Sequence, residues 1–204
     1  MTARRGRGRP APITTRHVRR ALKENGIPVT RPLRTIKPER IFTDRATVVV
    51  KILGFPESYL ADLAAFARAG VTAEVALLED PIEIAHDEWA VVVSYVPASQ
   101  FTQACHAKAV GQLLRRIHDQ VWPFADPPQD GKVYCPNDWF QENICITEAG
   151  PVMIDLDLAG AYKRPYAVGC AITDFSRRER DPVVRAQIKS DLLEGYGPHP
   201  DLEK

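Results

Sequence analysis

Apolar residues along this chain fall into registers that change character near residue 100. Before that point most patterns are those of strands. "ERIFTDRATVVVKILG" reads as a hairpin turning at Thr43-Asp44-Arg45, and its β-branched run Val48–Leu53 suits a buried strand. Two further strands are expected in "AEVALLE" and "WAVVVSYV". The acidic stretch between them, with Glu79, Asp80, Glu83, Asp87 and Glu88, reads as a solvated loop or hairpin. One helix interrupts the strands. "ESYLADLAAFARAG" sets Tyr59, Leu60, Leu63, Phe66 and Ala67 on one face and closes at Gly70. A shorter helix, "TTRHVRRALKENG", comes earlier, with Thr14 or Thr15 to cap it, Val18 and Leu22 in a narrow stripe, and Gly26 to end it. From Phe101 the helical period dominates. "FTQACHAKAVGQLLRRIHDQ" repeats Val110, Leu113, Leu114 and Ile117 at helical spacing. A Pro-rich loop follows, then short strands around Ile144–Ile146 and Val152–Leu156, then helices in "AVGCAITDF" and "PVVRAQIKSDLLEGYG". The whole is an α+β pattern: a small sheet with one helix, then a mainly helical half around a hairpin.

Length and composition narrow this further. The 204 residues, 45% apolar, suit one large domain or one split into two lobes. No apolar run reaches the roughly 18 residues needed to span a bilayer. The basic N-terminus is not followed by the apolar segment of a secretory signal. The cysteines Cys105, Cys135, Cys145 and Cys170 form no C-x-x-C pair, so the chain lacks the spacing of zinc ribbons and dithiol redox sites. Most sit beside apolar residues and are expected to pack as small hydrophobes, which makes a reducing, cytoplasmic location the expectation. The net charge of +1 conceals a partition. Residues 1–40 carry twelve Lys or Arg against Glu24 and Glu39, a net of +10, which leaves −9 on the remainder.

The candidate chemistry lies between Cys135 and Gly160, in "CPNDWFQENICITEAGPVMIDLDLAG". Asp138 is followed by Asn143 five places on and by Asp155 twelve places after that, so a strand-loop-strand segment carries three oxygen donors. Each has an ordinary structural reading. Asn-Asp pairs make turns, a lysine such as Lys51 at a strand is usually solvated, and His118 at a helix end more often packs or hydrogen-bonds. Their order is more telling: Lys51 on a valine strand, a helix, a connector at Ser94–Pro97, a long helix ending in Ile117-His118, then Asp138, Asn143 and Asp155.

That order resembles the aminoglycoside phosphotransferase and choline kinase group of the protein-kinase-like superfamily. Its catalytic segment, H-x-D-x-x-x-x-N, and its I-D-F-[DE] strand are matched here by "PNDWFQEN" and "IDLD". The resemblance covers roughly residues 30–197. It implies a two-lobe fold, with a small N-terminal sheet lobe over residues 14–97 and a shortened, mainly helical C-terminal lobe over 98–204. The fold follows a disordered basic tail over 1–13. It further implies an ATP- and Mg²⁺-dependent phosphotransferase acting on a hydroxyl of a small molecule. Asp138 would be the catalytic base, and Asn143 and Asp155 would hold the metal. Lys51 would hold the α- and β-phosphates, and Glu57 would pair that lysine, with Asp62 as the other candidate. The backbone around Tyr95 and Val96 would meet the adenine, and Asp157 would support a second metal or the loop. Phosphoryl transfer needs positioning and charge neutralisation, and Mg²⁺ takes one or two protein carboxylates beside phosphate oxygens, so these residue types fit the task.

Three departures support a second expectation, a catalytically impaired relative that binds a nucleotide or a partner. Pro136 stands where the family's loop has a histidine, no glycine precedes Lys51 between Arg34 and Val50, and the chain ends soon after "GYG". The tail suggests a third function. Arg7-Gly8-Arg9-Pro10 resembles an AT-hook core, so residues 4–10 carry a weak DNA-binding signal beside the simpler reading of a nonspecific basic tail.

Overall fold

A computed structural model describes residues 13–37, 40–97, 100–102, 104–120, 122 and 132–202. The expected tail, residues 1–13, therefore lies outside the described residues except for Ile13, which is buried. The chain divides into two compact units, Met1–Pro56 with Leu77–Tyr95 and Glu57–Ala76 with Val96–Lys204.

The first unit is a five-stranded antiparallel sheet in the order β1-β2-β3-β5-β4, with a helix against it. The strands are β1 (Arg34–Lys37), β2 (Ile41–Thr43), β3 (Val48–Leu53), β4 (Ile82–Ala85) and β5 (Glu88–Ser94). The helix, α1 (Thr15–Glu24), buries only Val18 and Leu22, the stripe its sequence predicts. Ile13 and those two side chains join Leu33, Phe42, Val48, Val50, Ile52, Ala90 and Val92 in one core. Because side chains alternate along a strand, Val48, Val50 and Ile52 share this face of β3 and Lys51 projects from the other. Gly26 turns out of α1 at φ +70°.

One expected strand fails. "AEVALLE" forms no strand beyond an isolated bridge at Ala76, and its place at the sheet edge is taken by β4 in the acidic stretch. Alternation on a strand would turn Val75 and Leu77 inward and Glu74 outward. The observed exposures are the reverse, 49% and 41% for the two apolar residues and 3% for Glu74. The acidic segment is the hairpin half of its own expectation: β4 and β5 turn at His86-Asp87, with Asp87 at φ +61°.

The second unit is built on helices. These are α2 (Pro56–Arg68), α3 (Ala107–Asp119), α4 (Arg164–Ser176) and α5 (Pro182–Tyr196). It also holds a three-stranded sheet of β6 (Gln100–Phe101), β8 (Ile144–Thr147) and β9 (Gly150–Met153), and a two-stranded one of β7 (Lys132–Cys135) and β10 (Gly160–Lys163). The long helix starts six residues later than its periodicity predicts, because Thr102 is held to the hairpin. Its N–H reaches the Ile144 carbonyl at 3.0 Å, and its Oγ1 reaches the Gln141 carbonyl at 3.0 Å. Asp181 caps α5 by accepting the Val183 N–H at 2.8 Å. Helices α3 and α5 cross at two glycines. A Cβ on Gly111 would overlap the Leu192 carbonyl oxygen, and one on Gly195 would overlap that of Lys108. Backbone meets backbone at that crossing, so only hydrogen fits there. Among the described residues no helix is long and apolar enough to cross a membrane.

Candidate active site

Within the second unit, the loop after β7 brings three of the predicted residues together. Cys135 ends β7, and Pro136–Phe140 runs without regular structure into a single 3₁₀ turn at Gln141–Asn143. The turn is fixed from several sides. The Trp139 indole, fully buried, donates to the Pro136 carbonyl at 2.9 Å. Gln141 Nε2 donates to the Phe175 carbonyl at 2.7 Å, tying the loop to α4. The Arg177 guanidinium lies 5.2 Å over the Phe140 ring. The loop thus has an anchor at Trp139 in the absence of a histidine at position 136.

This turn aims Asn143 at Asp138, whose carboxylate Oδ2 accepts the Asn143 amide Nδ2–H at 2.8 Å. Since Nδ2 is spent on Asp138, the amide presents its acceptor oxygen, Oδ1, away from that carboxylate. Asn143 is also the hinge between loop and hairpin, because its carbonyl accepts the Ile154 N–H at 2.8 Å. That bond sets Asp155 beside Asn143 immediately past the end of β9. Asp155 is buried, with its backbone in the left-handed region at φ +62°. A non-glycine residue held there is uncommon and costs free energy, and such residues cluster at functional sites.

Glu74 contributes to the same place and was not predicted. Its buried carboxylate accepts the Asp155 N–H at 3.4 Å, and its own N–H donates to Thr72 Oγ1 at 3.1 Å. The connector bearing it is pinned to β9, where the Met153 N–H reaches the Val71 carbonyl at 2.8 Å. Asp157, expected to share a strand face with Asp155, is instead exposed in a turn, because β9 has already ended at Met153.

Of the two carboxylates considered as partners for Lys51, Glu57 is exposed in the first turn of α2 and Asp62 is buried. Burial raises the Asp62 carboxyl above its ordinary 3.8, although the Tyr134 hydroxyl, 2.9 Å away, favours the ionised form. The two thiols nearest the loop are inert: burial pushes Cys135 up to about 12 and Cys145 up to about 11. His118 belongs to a buried polar cluster. Its Nδ1 lies 2.9 Å from the Tyr196 hydroxyl, and Arg164 spans the Tyr196 hydroxyl, the Asp119 carboxylate and the His118 carbonyl at 2.7, 3.1 and 3.1 Å. Burial, then the Arg164 charge, pushes His118 down to about 3, so it is neutral and acts as packing with a hydrogen bond.

In the first unit, Lys51 is 2% exposed, unlike the solvated lysine that a strand position usually carries. Lysine is almost never fully buried without a partner. In the register it stands opposite Ile41 on one side and Val91 on the other. The β2–β3 turn, where nucleotide-binding kinases place a glycine-rich loop by the resemblance above, is closed on itself. Asp44 Oδ1 accepts the N–H groups of Ala46, Thr47 and Val48 at 2.9, 2.9 and 3.0 Å. Its Oδ2 accepts from the Thr30 N–H, Thr30 Oγ1 and Thr47 Oγ1 at 3.1, 3.2 and 3.0 Å. Tyr95 follows β5 with its N–H on the Thr47 carbonyl at 2.9 Å, and Val96 is buried at the start of the next stretch.

The fold these elements make is shared by solved structures of small-molecule phosphotransferases. An aminoglycoside-3'-phosphotransferase of type VIII superposes with a TM-score of 0.63 at 14% identity, over 91% of this chain and 95% of that one. A choline/ethanolamine kinase family protein from Mesorhizobium loti gives 0.57 at 17% identity, over 91% and 78%. Amicoumacin kinase hAmiN, solved in complex with AMP-PNP, Ca²⁺ and Ami, gives 0.64 at 8% identity, over 87% and 76%. No protein-family model and no curated protein matches the sequence.

Proposed function

We propose that this chain is an ATP-dependent phosphotransferase that phosphorylates a hydroxyl group of a small molecule. The observation that carries the reading is the loop geometry: Asn143 orients the Asp138 carboxylate through a 2.8 Å hydrogen bond and, through its carbonyl, seats Asp155 next to it. Asp138 is the base that takes the proton of the attacking hydroxyl. A base held in one rotamer is already placed when the acceptor arrives. Lys51 is the cation for the α- and β-phosphates, and the backbone at Tyr95 and Val96 meets the adenine.

The donor set fits Mg²⁺. Among the described residues no three His, Cys, Asp or Glu side chains form a group able to hold a metal alone. Asp155 and the Asn143 amide oxygen offer the sparse pair that this ion completes with phosphate oxygens and water. When bound, Mg²⁺ neutralises charge that develops on the phosphates. Glu74 positions Asp155 by accepting its backbone N–H.

The closed Asp44 turn favours a second reading, a nucleotide- or partner-binding protein without turnover. Its N–H groups are spent on its own carboxylate and are not presented to a phosphate. A single experiment separates the two: thermal stabilisation by Mg-ATP together with ATP consumption, over a panel of hydroxylated small molecules, in the native chain and in Asp138→Asn. Stabilisation with turnover lost in the variant supports the kinase. Stabilisation with no turnover in either supports the binding protein. Neither effect removes both readings.

A further inference from the structure

The active-site loop leaves the basic N-terminal region unexplained. On α1, Arg16, Arg19, Arg20 and Lys23 stand at i, i+3, i+4 and i+7, a spacing that lines them along one side of a helix at about 5 Å per turn. All four are exposed, because Val18 and Leu22 occupy the face turned to the sheet. Arg20 pairs with Glu24 at 3.7 Å, while Arg16, Arg19 and Lys23 have no acidic partner among the described residues. The stripe continues off the helix. Arg19 and Lys23 join Arg31 around an open cavity of about 670 Å³ whose floor is the loop Gly26–Pro32. Beside it, Asp44 brings a negative charge, but that charge is turned inward onto Thr30 and its own turn. Ahead of α1 the sequence adds Arg4, Arg5, Arg7 and Arg9 with no acidic residue, so most of the +10 of residues 1–40 lies in this stretch and on this face.

We infer that this face of α1, with the adjoining Arg31 cavity, is a docking surface for the phosphate backbone of duplex DNA. A solvated surface helix usually mixes both signs, whereas this one sets four cations in a row against a single acid, Glu24, the electrostatic footprint of a phosphate-binding element. A bilayer is a poorer fit, because an interfacial helix needs an exposed apolar face and α1 has turned both of its large apolar residues inward. Duplex DNA is favoured over RNA by the preceding Arg7-Gly8-Arg9-Pro10, whose arginines suit the narrow, strongly negative minor groove of A·T-rich sequence. The helix supplies affinity without sequence reading, as phosphate contacts do.

The test uses the full chain and a fluorescent A·T-rich 20-mer duplex, with anisotropy read from 50 to 200 mM KCl. Changing Arg16, Arg19, Arg20 and Lys23 together to Gln should weaken binding at least about tenfold and flatten the salt slope by about 3.6, at roughly 0.9 per lost phosphate contact. If that quadruple variant frays α1, seen by circular dichroism, the pairs Arg16→Gln/Arg19→Gln and Arg20→Gln/Lys23→Gln should each flatten the slope by about 1.8. Unchanged affinity and slope in these variants, with all binding lost on deleting residues 1–12, would overturn the helix as the surface. Tighter binding to single-stranded RNA, or to phosphatidylserine vesicles at the same salt, would overturn DNA as its partner.

Discussion

Two acidic turns in this molecule look alike in sequence and are opposite in structure. Asp44 sits in "TDRAT" and Asp138 in "NDWFQEN", each after a strand and each among turn-forming residues. Asp44 is buried, and both its oxygens are filled by six donors from its own turn and Thr30. Asp138 is half-buried, and its Oδ2 is taken by the amide of a residue five places on. A carboxylate saturated by the N–H groups of its own loop is a structural pin. One set by a side-chain amide, beside a strained second carboxylate, is the arrangement on which the proposed phosphoryl transfer rests. The difference lies in who donates the hydrogen bonds, which composition alone does not reveal.

The largest expected effect tests the chemical half of that contrast. Asp138→Asn should lower phosphate transfer about a thousandfold, the usual weight of a positioned general base, with a melting temperature within about 2 °C of the native chain. A fall in stability to match the fall in rate would place Asp138 with Asp44. Asp44→Ala is the reverse case. It removes the acceptor of four N–H groups, those of Thr30, Ala46, Thr47 and the buried Val48, and should cost about 3 kcal/mol, roughly 6 to 12 °C in melting temperature for a chain of this size. The sign with pH follows. Burial opposes ionisation of Asp44, but the N–H groups of Thr47, Ala46 and Val48 outweigh it and hold the carboxyl well below 3.8. Its contribution is therefore present above 3.8 and is lost as pH falls towards the folded value. In urea melts the gap between native and variant chains should therefore be smaller at pH 3 than at pH 7.

Much of this arrangement was legible in sequence. Periodicity marked α1, α2 and the buried strands β3 and β5, because their apolar residues face one core each. The spacing of Asp138, Asn143 and Asp155 was readable because one loop and one hairpin bring them together over short sequence distances. What stayed hidden depends on distant partners. Glu74 looked like the outward residue of a strand, and only the pinning of its connector to β9 turns it in. Gly111 and Gly195 carry no mark in the helical pattern, and only the crossing of α3 and α5 makes them necessary. The part Trp139 plays in closing the loop depends on its indole reaching the Pro136 carbonyl, which its apolar character does not announce.

His118 falls between the two turns, with one ring nitrogen on Tyr196 and Nε2 buried without a partner among the described residues. Its folded-state value, near 3, lies below the ordinary 6.5. The unfolded chain therefore takes up the proton first, and stability falls as pH drops from about 6.5 toward 3. The slope is about 1.4 kcal/mol per pH unit. In His118→Gln that slope should vanish, so chemical denaturation of the two chains between pH 7 and 4 should show their stability difference shrinking on acidification. A constant difference would mean that His118 is hydrated or charged in the folded state.

Asp62 provides the finest test, because it is a buried carboxylate with a hydroxyl where Asp44 has a ring of N–H donors. Burial dominates and raises it, whereas the bonds to Asp44 prevail and lower it. The Tyr134 hydroxyl at 2.9 Å is the counterweight that favours the ionised carboxylate, so Tyr134→Phe should cost about 1 kcal/mol when that carboxylate is charged. The variant raises the folded-state value further and leaves the unfolded chain unchanged, so its deficit should shrink as pH falls through that value and the carboxyl takes up a proton. The pH dependence of this small deficit is the measurement that matters. A deficit that is flat with pH would show that Asp62, like Asp44, is held ionised by its surroundings, and that the number of donors is not what separates the pinning acids from the rest.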